Sequence, residues 1–269
     1  MRGEASPKRK RREALTGSPT FRPEFPQGGH RLLAPLRANH FWFEHRRRRI
    51  LETAEACLRG VARPRVLELG CGDGDVLAAF AGRFWSVGLE RNLDDLAAAR
   101  QSRHLRVVAG EGAAPPFSQR FDLVGLFDVV EHVEDDAGLL RHAARFAAPG
   151  AWILVTVPAD PRLWTTLDEY AGHFRRYGRE DLEQLFARAH LDVRSIVPLF
   201  RVLWPLARAK AALLGRRPIT DPQAQYRVAP MANRLLAASL ALEASLYGAS
   251  ESGLGTSWLA AARTGPAAT

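Results

Sequence analysis

Three glycines at alternate positions, Gly70, Gly72 and Gly74, come directly after the apolar run Val66-Leu-Glu-Leu69. A chain that leaves a buried strand through such a stretch can turn sharply and lay bare backbone against a ligand, because no Cβ stands in the way. A binding turn at the carboxyl end of a strand belongs to open α/β sheets, and the flanking pattern agrees. Trp85–Glu90, Leu105–Ala109, Phe121–Phe127 and Trp152–Val157 read as strands. Helical periods over Val76–Arg83, Leu93–Gln101 and Asp135–Ala147 separate them, the last ended by Pro149-Gly150. Strands alternating with helices of this length predict βαβ units, right-handed crossovers and a doubly wound, mostly parallel sheet. An entry helix over Asn39–Leu58 precedes the first strand, and Arg179–Ala189, Leu191–Val197 and Thr256–Ala262 supply one more helix and two more strands.

The formal charge of +9 hints at an anionic partner, but its distribution weakens the hint. Residues 1–39 hold nine Lys/Arg against three Asp/Glu, so the rest of the chain is nearly balanced. Residues 1–36 are read as a disordered basic tail, with the run Lys8–Arg12 a solvated charge cluster first and a nucleic-acid or lipid contact second. Residues 37–269 form one domain, in which 200–248 are an apolar helical cap insertion. Two cysteines, Cys57 and Cys71, give no disulfide framework or metal-ligand spacing, and a reducing cytoplasm is expected. No apolar run is long enough to span a bilayer, although Ile196–Leu214 mixes apolar and basic residues and leaves a peripheral membrane contact open.

Two cofactor classes use such a glycine turn. A dinucleotide site wants a third glycine where this chain has Asp75, and Asp75, Asp73 and Glu68 together would repel a pyrophosphate. A ligand bearing a sulfonium and an ammonium suits that acidic turn. Glu90, ending the second strand, is placed to accept hydrogen bonds from ribose hydroxyls in either class.

Four segments then fall in order and spacing: Val66-Leu-Glu-Leu-Gly-Cys-Gly-Asp-Gly74, Gly88-Leu-Glu90, Gly110-Glu-Gly-Ala-Ala-Pro-Pro-Phe117 and Phe127-Asp-Val-Val-Glu-His-Val133. Together they resemble the class I S-adenosylmethionine-dependent methyltransferases, within them the branch of ubiquinone-biosynthesis O-methyltransferases, over residues 40–200. The resemblance implies a Rossmann-like seven-stranded sheet with an antiparallel last strand, and S-adenosyl-L-methionine as cofactor. It assigns Glu68, Gly70, Gly72 and Gly74 to the methionine part, Glu90 with Arg91 to the ribose, and Glu111 with Gly112 to the adenine. It also places Phe127 against the cofactor and Arg46 on the methionine carboxylate.

Methyl transfer needs alignment of acceptor and sulfonium, and a base only where the acceptor must lose a proton. His132 lies just past the fourth strand and can take that role; packing or capping is the plainer alternative. His173, Arg175, Arg176 and Tyr177 cluster after the fifth strand and read as acceptor contacts, with His173 a second candidate base and a salt-bridged lid the plainer alternative. Phe41, Trp42 and Phe43 fit a helix-start staple better than a pocket wall. No His/Asp/Glu set at ligand spacing is visible, so no metal is expected.

The expected function is transfer of a methyl group to an O or N atom of a small-molecule acceptor, lipid-linked or glycan intermediates included. A nucleic-acid methyltransferase using the basic tail is the rival. Asp128-Val-Val-Glu131 replaces the Pro-Pro-aromatic run of exocyclic-amine enzymes, and no Pro-Cys nucleophile is present, which disfavours it. A non-catalytic cofactor-binding scaffold or an NAD-dependent oxidoreductase is the reading from a different class.

Overall fold

The computed structural model describes residues 37, 39–103, 105–110, 117, 120–215, 217–218, 221, 224, 226–248 and 250–265. The basic tail and the adenine-side residues Glu111 and Gly112 lie outside them.

Seven strands form one sheet in the order β3-β2-β1-β4-β5-β7-β6. β1 (Arg65–Leu69), β2 (Trp85–Glu90), β3 (Val107–Ala109), β4 (Phe121–Phe127) and β5 (Ala147–Pro158) run parallel. β7 (Ser257–Arg263) inserts antiparallel between β5 and β6 (Asp192–Leu199). β1 and β4 are central, and the chain reverses its direction of travel across the sheet between them. That junction is where a crevice opens at the carboxyl ends of the strands.

Helices cover both faces. Along β1 the side chains alternate, Val66 packing toward α1 (Phe41–Cys57) and α2 (Asp75–Ala81), Leu67 and Leu69 toward the opposite layer. Period-two geometry therefore sends Glu68 to the α1 side with Val66. Ile50 and Ala54 of α1, Val76 and Phe80 of α2 and Leu240 of α8 (Pro230–Tyr247) complete that layer. On the other face, α4 (Asp136–Ala144) and α6 (Arg179–Arg188) bury Leu139, Leu140, Leu182, Leu185 and Phe186. α3 (Leu93–Arg103) covers the β2/β3 edge through Leu96 and Ala99. α7 (Trp204–Leu214) and α8 lie between β6 and β7 in the chain.

Two boundaries differ from the sequence reading. The helix expected over Asp135–Ala147 stops at Ala144, and β5 starts at Ala147 with Pro149-Gly150 inside it. A register shift between Phe121 and Leu123 absorbs the extra residues, and Gly150 takes a φ of 71°, so the Pro-Gly pair makes a strand irregularity rather than a helix stop. A further short helix, α5 (Thr166–Ala171), forms in the segment after β5, started by a capping box in which Thr165 and Asp168 cap each other's backbone.

Candidate active site

β1 ends at Leu69, and the chain leaves it through a turn closed by Gly74 N–H donating to Cys71 C=O (2.9 Å). Gly70, Gly72 and Gly74 have φ of 68°, 52° and 81°, the left-handed region that glycine adopts without strain. At Gly70 space is short as well: a Cβ would sit 2.8 Å from Val129 Cγ2. The turn is pinned to β2, because Gly72 N–H donates to Glu90 Oε2 and Asn92 N–H to Glu90 Oε1, both at 2.8 Å. Each Glu90 oxygen keeps a lone pair for a further donor.

Glu68 is buried, and its Oε2 has no hydrogen-bond partner. Burial pushes its carboxyl well above the usual range; Arg46 opposes the rise while Asp75, Asp73 and Glu90 add to it. The acids on either side of Gly74 are already paired, Asp73 with Arg37 and Asp75 with Arg47 at 3.0 Å. With those two paired and burial favouring the protonated form of Glu68, the repulsion of anions expected from three acids is weakened, and Glu68 ionises best opposite a cation. An unpartnered buried carboxylate oxygen beside bare backbone calls for a small cationic group.

Helical geometry sorts the four consecutive arginines. Arg46 points inward, bonding Asp128 at 2.7 Å and Thr156 Oγ1 at 3.3 Å, with Trp42 under its guanidinium. Its Nε is buried without a partner, which suits a carboxylate. Arg47 turns to Asp75, Arg48 and Arg49 to Glu52. Asp128, passed over in the sequence, stands at φ 58° just beyond β4 and holds both Arg46 and Thr156. Strained backbone of this kind persists where the surroundings over-determine it, as at binding sites. Phe127 is buried against Phe80, and its ring lies across Gly125.

Around this turn lies a cavity of about 940 Å³. Ordinary ligand sites span roughly 300–1,000 Å³, so there is room for a nucleoside and a second molecule together. Its walls include the glycine turn, Glu68, Glu90, Arg91, Arg46 and Phe127, together with Leu163, Leu167, Leu203, Leu206 and Leu214. Trp42, expected in a staple, also faces it, stacked on Phe200 with ring centroids 5.4 Å apart.

His132 and His173 meet in the wall of this cavity, rings edge to face at 4.8 Å. His132 belongs to a single turn of 3-10 helix after β4, and His173 is brought alongside because Phe174 N–H donates to Glu131 C=O (2.8 Å). Asp168 orients His173 through Nδ1 at 3.0 Å and binds Arg176 Nε at 2.8 Å. Burial works against ionising Asp168, but the bonds from His173 and Arg176 win and hold its carboxyl below the usual range. Glu131 is buried beside them, its carboxyl raised by burial and by Asp128, and its Oε2 has no partner.

Two corrections follow. Of the four residues expected to hold the acceptor, only His173 and Arg176 line the cavity. Arg175 bonds Asp136 (2.7 Å) and Glu134 C=O, and Tyr177 is core, its hydroxyl 3.2 Å from Asp136. The stretch is irregular there, and its partners sort the side chains: Asp168 draws His173 and Arg176 to the cavity side, and Asp136 draws Arg175 and Tyr177 to the other. Second, Glu131, His132 and His173 bring three possible metal-ligand atoms within 4.8 Å of one another. Linear spacing hid this set, because a fold-back of about forty residues assembles it, though the Glu131-His132 pair was itself visible.

A family model described as a methyltransferase domain matches residues 42–196. A ubiquinone biosynthesis O-methyltransferase of Pseudomonas aeruginosa is 29% identical over 172 residues, 61% of this chain and 65% of its own length. The chain thus spans slightly under two thirds of that curated relative. A probable S-adenosylmethionine-dependent methyltransferase of Mycolicibacterium smegmatis is 29% identical over 185 residues, 65% of this chain and 68% of its own length. Among solved structures, a possible histamine N-methyltransferase of Thermotoga maritima shares the fold with a TM-score of 0.52 at 17% identity, covering 82% of this chain and 92% of that one. The glycine turn, the acid-tipped second strand, the sheet order and the match to residues 42–196 agree, and the chain belongs to the class I S-adenosylmethionine-dependent methyltransferases.

Proposed function

We propose that the protein transfers a methyl group from S-adenosylmethionine to an O or N atom of a small molecule with an apolar part, seated between the His132–His173 pair and α7. The carrying observation is that the glycine turn, Glu90, both imidazoles and Leu206 and Leu214 of α7 all line one cavity. Once bound, the cofactor supplies a methyl group already activated by its sulfonium.

In this reading the residues at the turn hold and orient. Glu68 faces the ammonium, Arg46 the methionine carboxylate, Glu90 and Arg91 the ribose, and Phe127 closes the wall behind. Arg46 meets that carboxylate by sharing its contact with Asp128. Alignment of this kind can supply roughly 7–11 kcal/mol of the barrier. Acceptors that must shed a proton have two imidazoles within reach. His173 is the better positioned base: Asp168 holds its Nδ1, fixing the ring and leaving proton capture to Nε2.

A second reading of the two imidazoles has support in the clustering of Glu131, His132 and His173, which could hold a divalent cation against the acceptor oxygen. Chelator sensitivity separates the two, since a base alone is indifferent to it.

The deciding experiment is transfer of a radiolabelled methyl group into extracts of the native cell, followed by identification of the labelled product. Label in a small organic-soluble or polar metabolite supports the proposal. Label only in RNA or DNA, lost when residues 1–36 are removed, would establish the nucleic-acid rival instead.

A further inference from the structure

Exposed large apolar side chains are concentrated on the two helices between β6 and β7. On α7, Leu206 and Leu213 are 67% and 78% exposed. On α8, Met231, Leu235, Leu242 and Leu246 are each at least 59% exposed and recur at steps of four and seven, one stripe of the helix. A helix serving as an internal cap turns such a stripe inward. Here α8 turns Leu240 and Glu243 inward and leaves the leucine stripe in water, while α7 has no fully buried residue. Apolar surface gathered in this way marks a contact with something else.

Charge says what. Arg208 and Lys210 lie on α7 and Arg234 on α8, while Arg217 and Arg227 flank the helices, Arg227 lying 3.9 Å from Asp221. The sole carboxylate of either helix, Glu243, is buried and accepts from Val202 N–H. Neither helix therefore shows an exposed negative side chain. Leucines interleaved with cations, free of acids, complement anionic headgroups over acyl chains. No helix among the described residues is long and apolar enough to cross a membrane. The face is also continuous with the cavity, since Leu206, Lys210 and Leu214 line it while being exposed.

The geometry points to α7 and α8 as a membrane-docking face that lies in the interface of an anionic bilayer, with the mouth of the cavity opening onto the lipid. Docking is independent of which acceptor is methylated, and it extends to α8 the contact that the sequence left open for residues 196–214.

Flotation of the full chain with vesicles tests it. The protein should float with phosphatidylcholine vesicles containing phosphatidylglycerol, less with phosphatidylcholine alone, and less as salt rises. The triple exchange Leu213→Glu, Leu235→Glu, Leu242→Glu, outside the cavity walls, should lower bound protein at least about tenfold. Thermal midpoint and S-adenosylmethionine affinity by calorimetry should not change, which separates lost docking from a lost fold or cofactor site. Leu213→Glu alone should give a partial loss. The inference is overturned if the native chain ignores anionic vesicles, or if the triple variant floats as well as the native chain. It is equally overturned if flotation depends only on residues 1–36, or if the native chain sediments as a dimer that the exchanges split and binds no vesicles.

Discussion

Gly70 has little freedom at the turn, because its φ of 68° and the 2.8 Å approach of Val129 Cγ2 act together. Gly70→Ala should cost about 1–3 kcal/mol of stability, and calorimetry should show S-adenosylmethionine affinity falling at least about tenfold as the turn shifts. Glu68 carries the opposite trade. With its folded pKa well above the ordinary 4.5, the folded chain keeps a proton that the unfolded chain has already released once the pH passes that value. Unfolding free energy contributed by this group therefore falls as pH rises from 4.5 toward the folded pKa. Glu68→Gln should melt higher than the native apo-protein, by a margin that widens with pH across that window, and should bind the cofactor more weakly. A thermal-melt series on both proteins checks the first statement, and a constant or shrinking margin would refute it. The glycines and Glu68 were legible in the sequence because a turn needing positive φ writes itself into residue type. Asp128 was not, since its value lies in Arg46 and Thr156, which come from α1 and β5.

At the scale of elements, the segment from Ala159 to Gly178, which holds a 3-10 turn, α5 and an irregular stretch, serves two purposes. Its inward side chains, His173 and Arg176, hang on Asp168, while Arg175 and Tyr177 tie it to Asp136. Asp168→Asn removes the carboxylate from a nearly buried pair with Arg176, and breaking such a pair costs about 3–5 kcal/mol. It should also lower the methylation rate while leaving cofactor affinity unchanged, because His173 loses its orientation. Arg175→Ala should cost about 1–3 kcal/mol, since it removes a hydrogen bond to the buried Asp136, and should leave turnover at the native level. A matching loss of rate in both variants would undo the division of this segment into a cavity side and a structural side. The sequence showed that the cluster was unusual but not which members face inward, because α5 and the distant partners Asp136 and Asp168 that sort them were not foreseeable from composition.

For the whole molecule, a ligand that binds only the folded chain should raise its stability by about 2.7 kcal/mol at a hundredfold excess over Kd. S-adenosylmethionine should accordingly raise the melting temperature of the native chain, and NAD should leave it unmoved; a shift with NAD instead would reject the cofactor reading. The sequence by itself determined the alternation of strands and helices, the turn after β1 and the acid ending β2, because hydrophobic period and backbone geometry act over a few residues and are recorded locally. Only the tertiary structure decided which of four arginines reaches Asp128 and Thr156, that Asp73 and Asp75 are spoken for, and that Glu131, His132 and His173 converge. It also decided that α8 turns its leucine stripe to solvent instead of to the sheet. Each of these depends on how elements far apart in the chain are rotated and packed against one another, and the energy that sets such rotations comes from contacts across the fold rather than from neighbours in sequence.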